Sequence, residues 1–125
     1  METPSNLFFS KEHEWTTGKD GTVTIGITSY AIEQLGDIVH IELPEVGEEF
    51  GAGDPFGTIE STKTVSDLYM PVGGKVVEVN DTLLDAPESI QEDAFDDGWL
   101  IKVDTNGDIE DLMDADEYED FIKDE

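Results

Sequence analysis

Apolar residues in this chain fall in short runs and alternations broken by Gly, Pro, Asn and Asp, a rhythm of short β-strands with few helices. Residues 7–9, 14–17 and 22–27 read as the first strands, with Gly18-Lys19-Asp20-Gly21 as the turn between the last two. Residues 29–35 take a helical pattern, with Thr28 or Ser29 placed to cap the first turn and Gly36 to end the last. Residues 37–43 alternate, putting Ile38, His40 and Glu42 on one face and Val39, Ile41 and Leu43 on the other, until Pro44 stops the strand. Gly51-Ala52-Gly53-Asp54 is a turn. Strands are then expected over 56–60 and 65–70, with Ser61-Thr62-Lys63-Thr64 at a hairpin tip. A turn at 71–74, a strand at 75–79, an irregular 81–97 with a helical turn near Leu83, and a last strand at 99–103 follow.

The C-terminus changes period. Residues 108–113 and 115–122 read as helical, so that 108–122 forms a C-terminal helical segment. Asp114 and Glu117 have capping-box spacing, and Leu112, Met113, Tyr118, Phe121 and Ile122 can pack one side against the sheet. The pattern implies a mainly β protein, a small barrel or sandwich, as one domain over 1–125 with a flexible start at 1–6.

Composition sharpens this picture. With no cysteine, disulfides, thiolate metal sites and cysteine nucleophiles are excluded. The first residues carry no basic or long apolar run, and no stretch is long enough to span a bilayer, so a cytoplasmic protein is expected. The 32 acidic residues outnumber 6 basic ones, all lysine, for a formal net charge of -26. Nucleic acid and anionic membrane are therefore poor partners. The acids crowd 108–125 but also 42–60 and 88–97, so the excess spans the fold and is not confined to a tail or to one docking face. Adaptation to a very salty cytoplasm, and so a halophilic source, accounts for it best. At about 1 M salt the Debye length falls to roughly 3 Å and surface carboxylates stop repelling one another strongly. The melting temperature is accordingly expected to drop in dilute buffer and recover in molar KCl. A melt indifferent to salt rules that adaptation out.

Lys63 is the chemically distinctive residue. A covalently tethered arm needs a lysine amine, clear of the fold and on a rigid anchor, and a tight hairpin supplies both conditions. Small Ser and Thr residues surround Lys63, strand-like sequence flanks it, and no other basic residue lies nearby. On those features alone a solvated surface lysine remains the ordinary reading. His13 is a proton-shuttle candidate more simply read as a structural hydrogen-bonder, and His40 as half-buried packing on its strand face. Two histidines so spaced make no metal site. Trp15 and Trp99 are expected to fill the core. The glycines at 51, 53, 73 and 74 sit in turns and form no phosphate loop.

The wider sequence changes the balance at Lys63. Glu60-Ser61-Thr62-Lys63-Thr64-Val65-Ser66-Asp67-Leu68-Tyr69 resembles the lipoylation hairpin of glycine cleavage system H proteins. Lys11-Glu12-His13-Glu14-Trp15, Gly26-Ile27-Thr28, Gln34-Leu35-Gly36-Asp37, Glu42-Leu43-Pro44-Glu45-Val46-Gly47, Val76-Val77-Glu78-Val79-Asn80 and Gly98-Trp99-Leu100-Ile101-Lys102 follow the family's order. The series covers about 8–122. Departures are small and polar: Thr62 for a commonly apolar residue, Thr64 for a usual alanine, and Gly73 and Lys75 where a serine and an acid are common.

The resemblance implies a lipoyl/biotinyl-type barrel-sandwich hybrid with a short helix in its N-terminal half and helices at the C-terminus. It implies lipoic acid in amide linkage to Lys63 and a carrier that catalyses nothing itself. Such a carrier moves the aminomethyl group of glycine from a pyridoxal-phosphate glycine decarboxylase to a tetrahydrofolate-dependent aminomethyltransferase. Dihydrolipoyl dehydrogenase then reoxidises it, and a lipoate-attaching enzyme loads it. In this family the loaded arm folds into a cleft, and Glu14 and Asp67 match positions near it as acceptors for the amine. A monomer is expected. The methionine-flanked lysine of biotinyl domains is missing. Lipoyl domains of acyltransferases lack the His13-Glu14-Trp15 segment and the C-terminal helices. A lipoyl-relay protein, an enzyme and an unmodified acidic interaction module are the remaining alternatives.

Overall fold

The computed structural model describes residues 7–18, 21–91, 98–109 and 112–123. Among the described residues, nine strands form two antiparallel sheets. The larger takes β1 (Phe8–Phe9), β2 (Glu14–Thr16), β3 (Thr22–Ile27), β9 (Ile101–Ile109), β8 (Val72–Val79) and β5 (Glu49–Phe50) in that spatial order. The smaller takes β4 (Ile38–Glu42), β6 (Pro55–Ser61) and β7 (Val65–Tyr69). Helix α1 (Ser29–Leu35) joins β3 to β4, α2 (Asp81–Asp85) and a 3-10 turn (Pro87–Gln91) follow β8, and α3 (Ala115–Lys123) ends the described chain.

The two sheets face each other across one apolar cluster. Val23, Ile25, Val76, Ile101 and Val103 come from the larger sheet, and Ile38, Ile41, Phe56, Ile59 and Leu68 from the smaller. A second cluster of Leu7, Phe9, Trp15, Ala115 and Tyr118 lies under α3. Trp15 is seated by a deletion of bulk opposite it. Its cross-strand partner is Gly26, where an added Cβ would overlap the indole ring. The indole N–H donates to the Ile27 carbonyl at 3.1 Å, so the buried ring leaves no orphan donor.

Local rules place α1 well. Thr28 is its N-cap, its hydroxyl accepting from the Ala31 N–H at 3.3 Å, and Gly36 ends it at φ 93, a conformation suited to glycine. The capping box before α3 also forms, with the Glu117 N–H donating to the Asp114 carboxylate at 2.9 Å and the Asp114 N–H to the Glu117 carboxylate at 3.1 Å.

Several expectations need correction. The alternation of residues 37–43 breaks at a bulge between Ile38 and His40, so Ile38 and Ile41 are both buried while Val39 is 48% exposed. His40 is exposed, 3.7 Å from the Glu42 carboxylate, and does not pack half-buried on a strand face. The expected turn at 71–74 is shorter, because β8 already begins at Val72 and bends at a register shift before Gly74. Strand β5 at Glu49–Phe50 was not foreseen. The last strand begins at Ile101 and runs on to Ile109, so residues 108–109 are strand and not helix. Val72↔Ile109 pairing with β8 draws this polar stretch into the sheet. Met113 is not helical either but bridges to Phe9. Trp99 is only half-buried, packed against the second cluster with the Lys102 ammonium 4.9 Å from its ring centre. Residues 1–6, 19–20, 92–97 and 110–111, on which parts of the expected flexible start, first turn, irregular segment and C-terminal helix fall, lie outside the described residues.

Candidate functional site

The β6–β7 hairpin closes at Ser61, and its tip is locked from within. The buried Ser61 hydroxyl accepts from the N–H groups of Lys63 and Thr64, both at 3.2 Å, while the Ser61 N–H donates to the Thr64 carbonyl at 2.8 Å. The Thr62 N–H donates to the Asp37 carbonyl at 3.0 Å, tying the tip to the link between α1 and β4. Thr62, Lys63 and Thr64 themselves are exposed. A serine oxygen holding two backbone donors fixes the tip without enclosing it. The Lys63 side chain lies back over Gly36. A Cβ built there would stand 3.3 Å from Lys63 Cε and 3.6 Å from Nζ. The glycine that ends α1 thus also leaves room for the lysine.

A cleft of about 590 Å³ opens on the same side. Tyr30, Ala31, Gln34 and Leu35 of α1 form one wall, and Ser66, Asp67 and Tyr69 of β7 another. Ile27 and the segment Glu12-His13-Glu14 complete it. Leu35 lines the cleft and the next residue, Gly36, underlies Lys63, so the lysine stands one residue along the chain from the cleft wall.

Glu14 is 1% exposed. Its Oε1 accepts from the Ser10 hydroxyl at 2.7 Å and its Oε2 from the Tyr69 N–H at 3.3 Å, while its own N–H donates to Ser10 Oγ at 3.1 Å. Burial pushes its carboxyl up to about 8. The Ser10 and Tyr69 hydrogen bonds oppose that rise, and the nearby Glu12 carboxylate adds to it. Burial therefore favours the neutral form of Glu14. Asp67 is exposed on the β7 wall, with the Tyr69 hydroxyl 3.5 Å from its carboxylate. The cleft therefore combines an apolar floor with two carboxyl groups, a setting suited to a small amine on an apolar tether.

The structure brings Glu14 and Asp67 together in one cleft, and lays Lys63 over Gly36, the residue after the cleft-lining Leu35. It places His40 elsewhere, in a shallow depression with Phe56 and Leu84. His13 makes the structural hydrogen bond expected of it, with Nδ1 2.8 Å from the Tyr118 hydroxyl. Sequence reasoning missed Ser10, Ser61, Gly36 as a rest for the lysine, and Tyr118. Ser61 was legible as a small turn residue. Nothing in the sequence distinguished Ser10 or the Tyr118 hydroxyl. Among the described residues no group of three or more His, Asp and Glu could hold a metal ion.

Comparison with known proteins agrees with this geometry. A family model described as Glycine cleavage H-protein matches residues 7–125. The chain is 51% identical over 126 residues to the glycine cleavage system H protein of Oceanobacillus iheyensis, covering 99% of this chain and 100% of the relative. It is 52% identical over 124 residues to that of Staphylococcus haemolyticus, covering 98% of each. The crystal structure of a glycine cleavage system H protein from Mycobacterium marinum superposes with a TM-score of 0.93 at 42% identity, over 97% of this chain and 99% of that one. By sequence and by fold, the chain belongs to the glycine cleavage H-protein family.

Proposed function

We propose that this chain is the lipoyl-carrying subunit of the glycine cleavage system, with lipoic acid in amide linkage to Lys63 and no catalysis of its own. The observation that supports the attachment site is Lys63 itself, exposed on a tip locked by Ser61 and Asp37 and laid over Gly36, next to the cleft-lining Leu35. A lipoyl group held on Lys63 would supply a sulfur to carry an aminomethyl group between glycine decarboxylase and the aminomethyltransferase, and a dithiol for dihydrolipoyl dehydrogenase to reoxidise.

The chain's own residues do the rest. The fixed tip defines the volume the arm sweeps, so a docked partner sees it at an effective concentration in the millimolar range, roughly. Ile27, Ala31 and Leu35 offer the tether an apolar wall and shed water from it. Glu14 and Asp67 accept the cargo's ammonium, Glu14 releasing its proton to solvent as the cation enters. The shelter slows hydrolysis of the cargo between partners.

The partners follow from this role: glycine decarboxylase, the aminomethyltransferase, dihydrolipoyl dehydrogenase and a lipoate-attaching enzyme. We place the protein in the cytoplasm as a monomer. Among the described residues no helix is long and apolar enough to cross a membrane.

The test is intact mass of protein from its native cell, followed by glycine–bicarbonate exchange with glycine decarboxylase. A lipoyl increment with exchange is expected. A lipoylated protein that supports no exchange is a relay that passes lipoate to other enzymes, and an unmodified protein is neither.

A further inference from the structure

The cleft is held from behind by a residue that does not line it. Tyr118 of α3 is 1% exposed, and its ring stacks on Phe9 with centroids 4.7 Å apart. Its hydroxyl lies 2.8 Å from His13 Nδ1 and 2.7 Å from Thr28 Oγ1. A hydroxyl carries one proton, so it can donate to one of these and accept from the other. His13 belongs to the cleft wall beside Glu14, and Thr28 is the N-cap of α1, the opposite wall. The two walls also meet through the backbone, where the Thr28 N–H donates to the His13 carbonyl at 2.9 Å.

The backbone at this junction takes an uncommon shape. His13 has φ 68, in the left-handed region that histidine enters more readily than most side chains. The His13 N–H donates to the Ser10 carbonyl at 3.1 Å, and Ser10 is the residue that holds Glu14. A loosened His13 therefore also releases the serine that positions the buried acid.

We propose that Tyr118 is a positioning residue for the cargo cleft: its hydroxyl fastens the His13 loop and the head of α1 to each other and to the C-terminal helix, and so sets how long the cleft retains the aminomethyl cargo. This rests on the reading that the cargo shelters there. It gives the C-terminal helix a task beyond covering apolar surface. It also makes any partner that lifts α3 a partner that releases the arm.

Tyr118→Phe tests it, because the ring and its stack on Phe9 remain and the hydroxyl goes. In the unlipoylated protein, hydrogen exchange of the Ala31 amide, which the Thr28 hydroxyl caps, is expected to speed up roughly three- to tenfold. In lipoylated protein loaded by glycine decarboxylase and glycine, cargo loss to water is expected to accelerate by a similar factor. Lipoylation of Lys63 and reoxidation by dihydrolipoyl dehydrogenase, which use the extended arm, should stay within twofold. Val23→Ala, in the other core cluster, is the control for lost stability and should leave cargo loss unchanged. Unaltered exchange and cargo loss in Tyr118→Phe, or equal acceleration in Val23→Ala, overturns the positioning role while leaving the cleft reading intact. A wild-type protein that loses its cargo as fast as a short lipoyl-lysine peptide overturns the cleft reading, and this inference with it.

Discussion

Lys63→Arg is expected to remove glycine–bicarbonate exchange almost completely while leaving the fold unchanged. Arginine keeps the positive charge and the length, and its side chain stays in solvent at the exposed tip. What it lacks is an amine that can be acylated, since the guanidinium holds its proton at any ordinary pH. Without the amide, lipoic acid can take part only as a free solute, and the gain from tethering disappears. That gain is worth on the order of 10²–10⁴ in effective concentration, and the exchange rate should fall by about that factor. Intact mass should show no lipoyl increment, and the melting temperature should lie within a degree or two of wild type. Lys75 and Lys102 are the controls, standing on β8 and β9 away from the tip. Exchange that persisted in Lys63→Arg would place the carrier group on another residue or remove the need for one.

The parts of this molecule that read directly from sequence are those decided within a few residues. Helix α1 lies at Ser29–Leu35 as its pattern implies, because Thr28 and Gly36 settle its two ends locally. The Asp114–Glu117 box marks the start of α3 for the same reason. Where the outcome depends on a distant strand, the pattern misleads. The polar stretch 104–109 looks like a loop followed by helix, yet β8 supplies a ladder for it. The bulge in β4 shifts His40 into solvent, and its cause lies in the register with β6.

The site divides in the same way. Lys63 is legible because small residues crowd a hairpin tip, and the family resemblance gives that tip a purpose. Glu14 is one acid among 32, and only its burial between Ser10 and the Tyr69 backbone sets it apart. The apolar stripe of α3 predicts that Tyr118 packs, but both partners of its hydroxyl come from the far end of the chain.

Glu14→Gln is expected to make the fold more stable at alkaline pH and the carrier worse. The folded acid keeps its proton up to about pH 8, whereas the unfolded chain releases it near 4.5. Between those values the native state binds one more proton than the unfolded state, so stability falls as pH rises. The loss is about 1.4 kcal/mol per pH unit, reaching several kcal/mol by pH 8 and levelling off above it. Glutamine has the shape of the protonated acid and no proton to lose. The difference between variant and wild type should therefore be near zero at pH 4.5 and grow to several kcal/mol at pH 8. The other carboxylates are common to both proteins and cancel. Urea denaturation of the two proteins across this range, in molar KCl, measures it, and a difference that stays flat with pH would show that Glu14 is not a buried neutral acid. The functional effect has the opposite sign. An arriving ammonium favours the ionised form, so Glu14 can lose its proton to solvent and stay as a carboxylate partner, which an amide cannot become. Loss of one charged hydrogen bond of this kind should shorten cargo retention roughly ten- to hundredfold. On the proposed role, a buried acid that weakens the empty fold serves because a group able to change charge can hold the loaded arm and let it go.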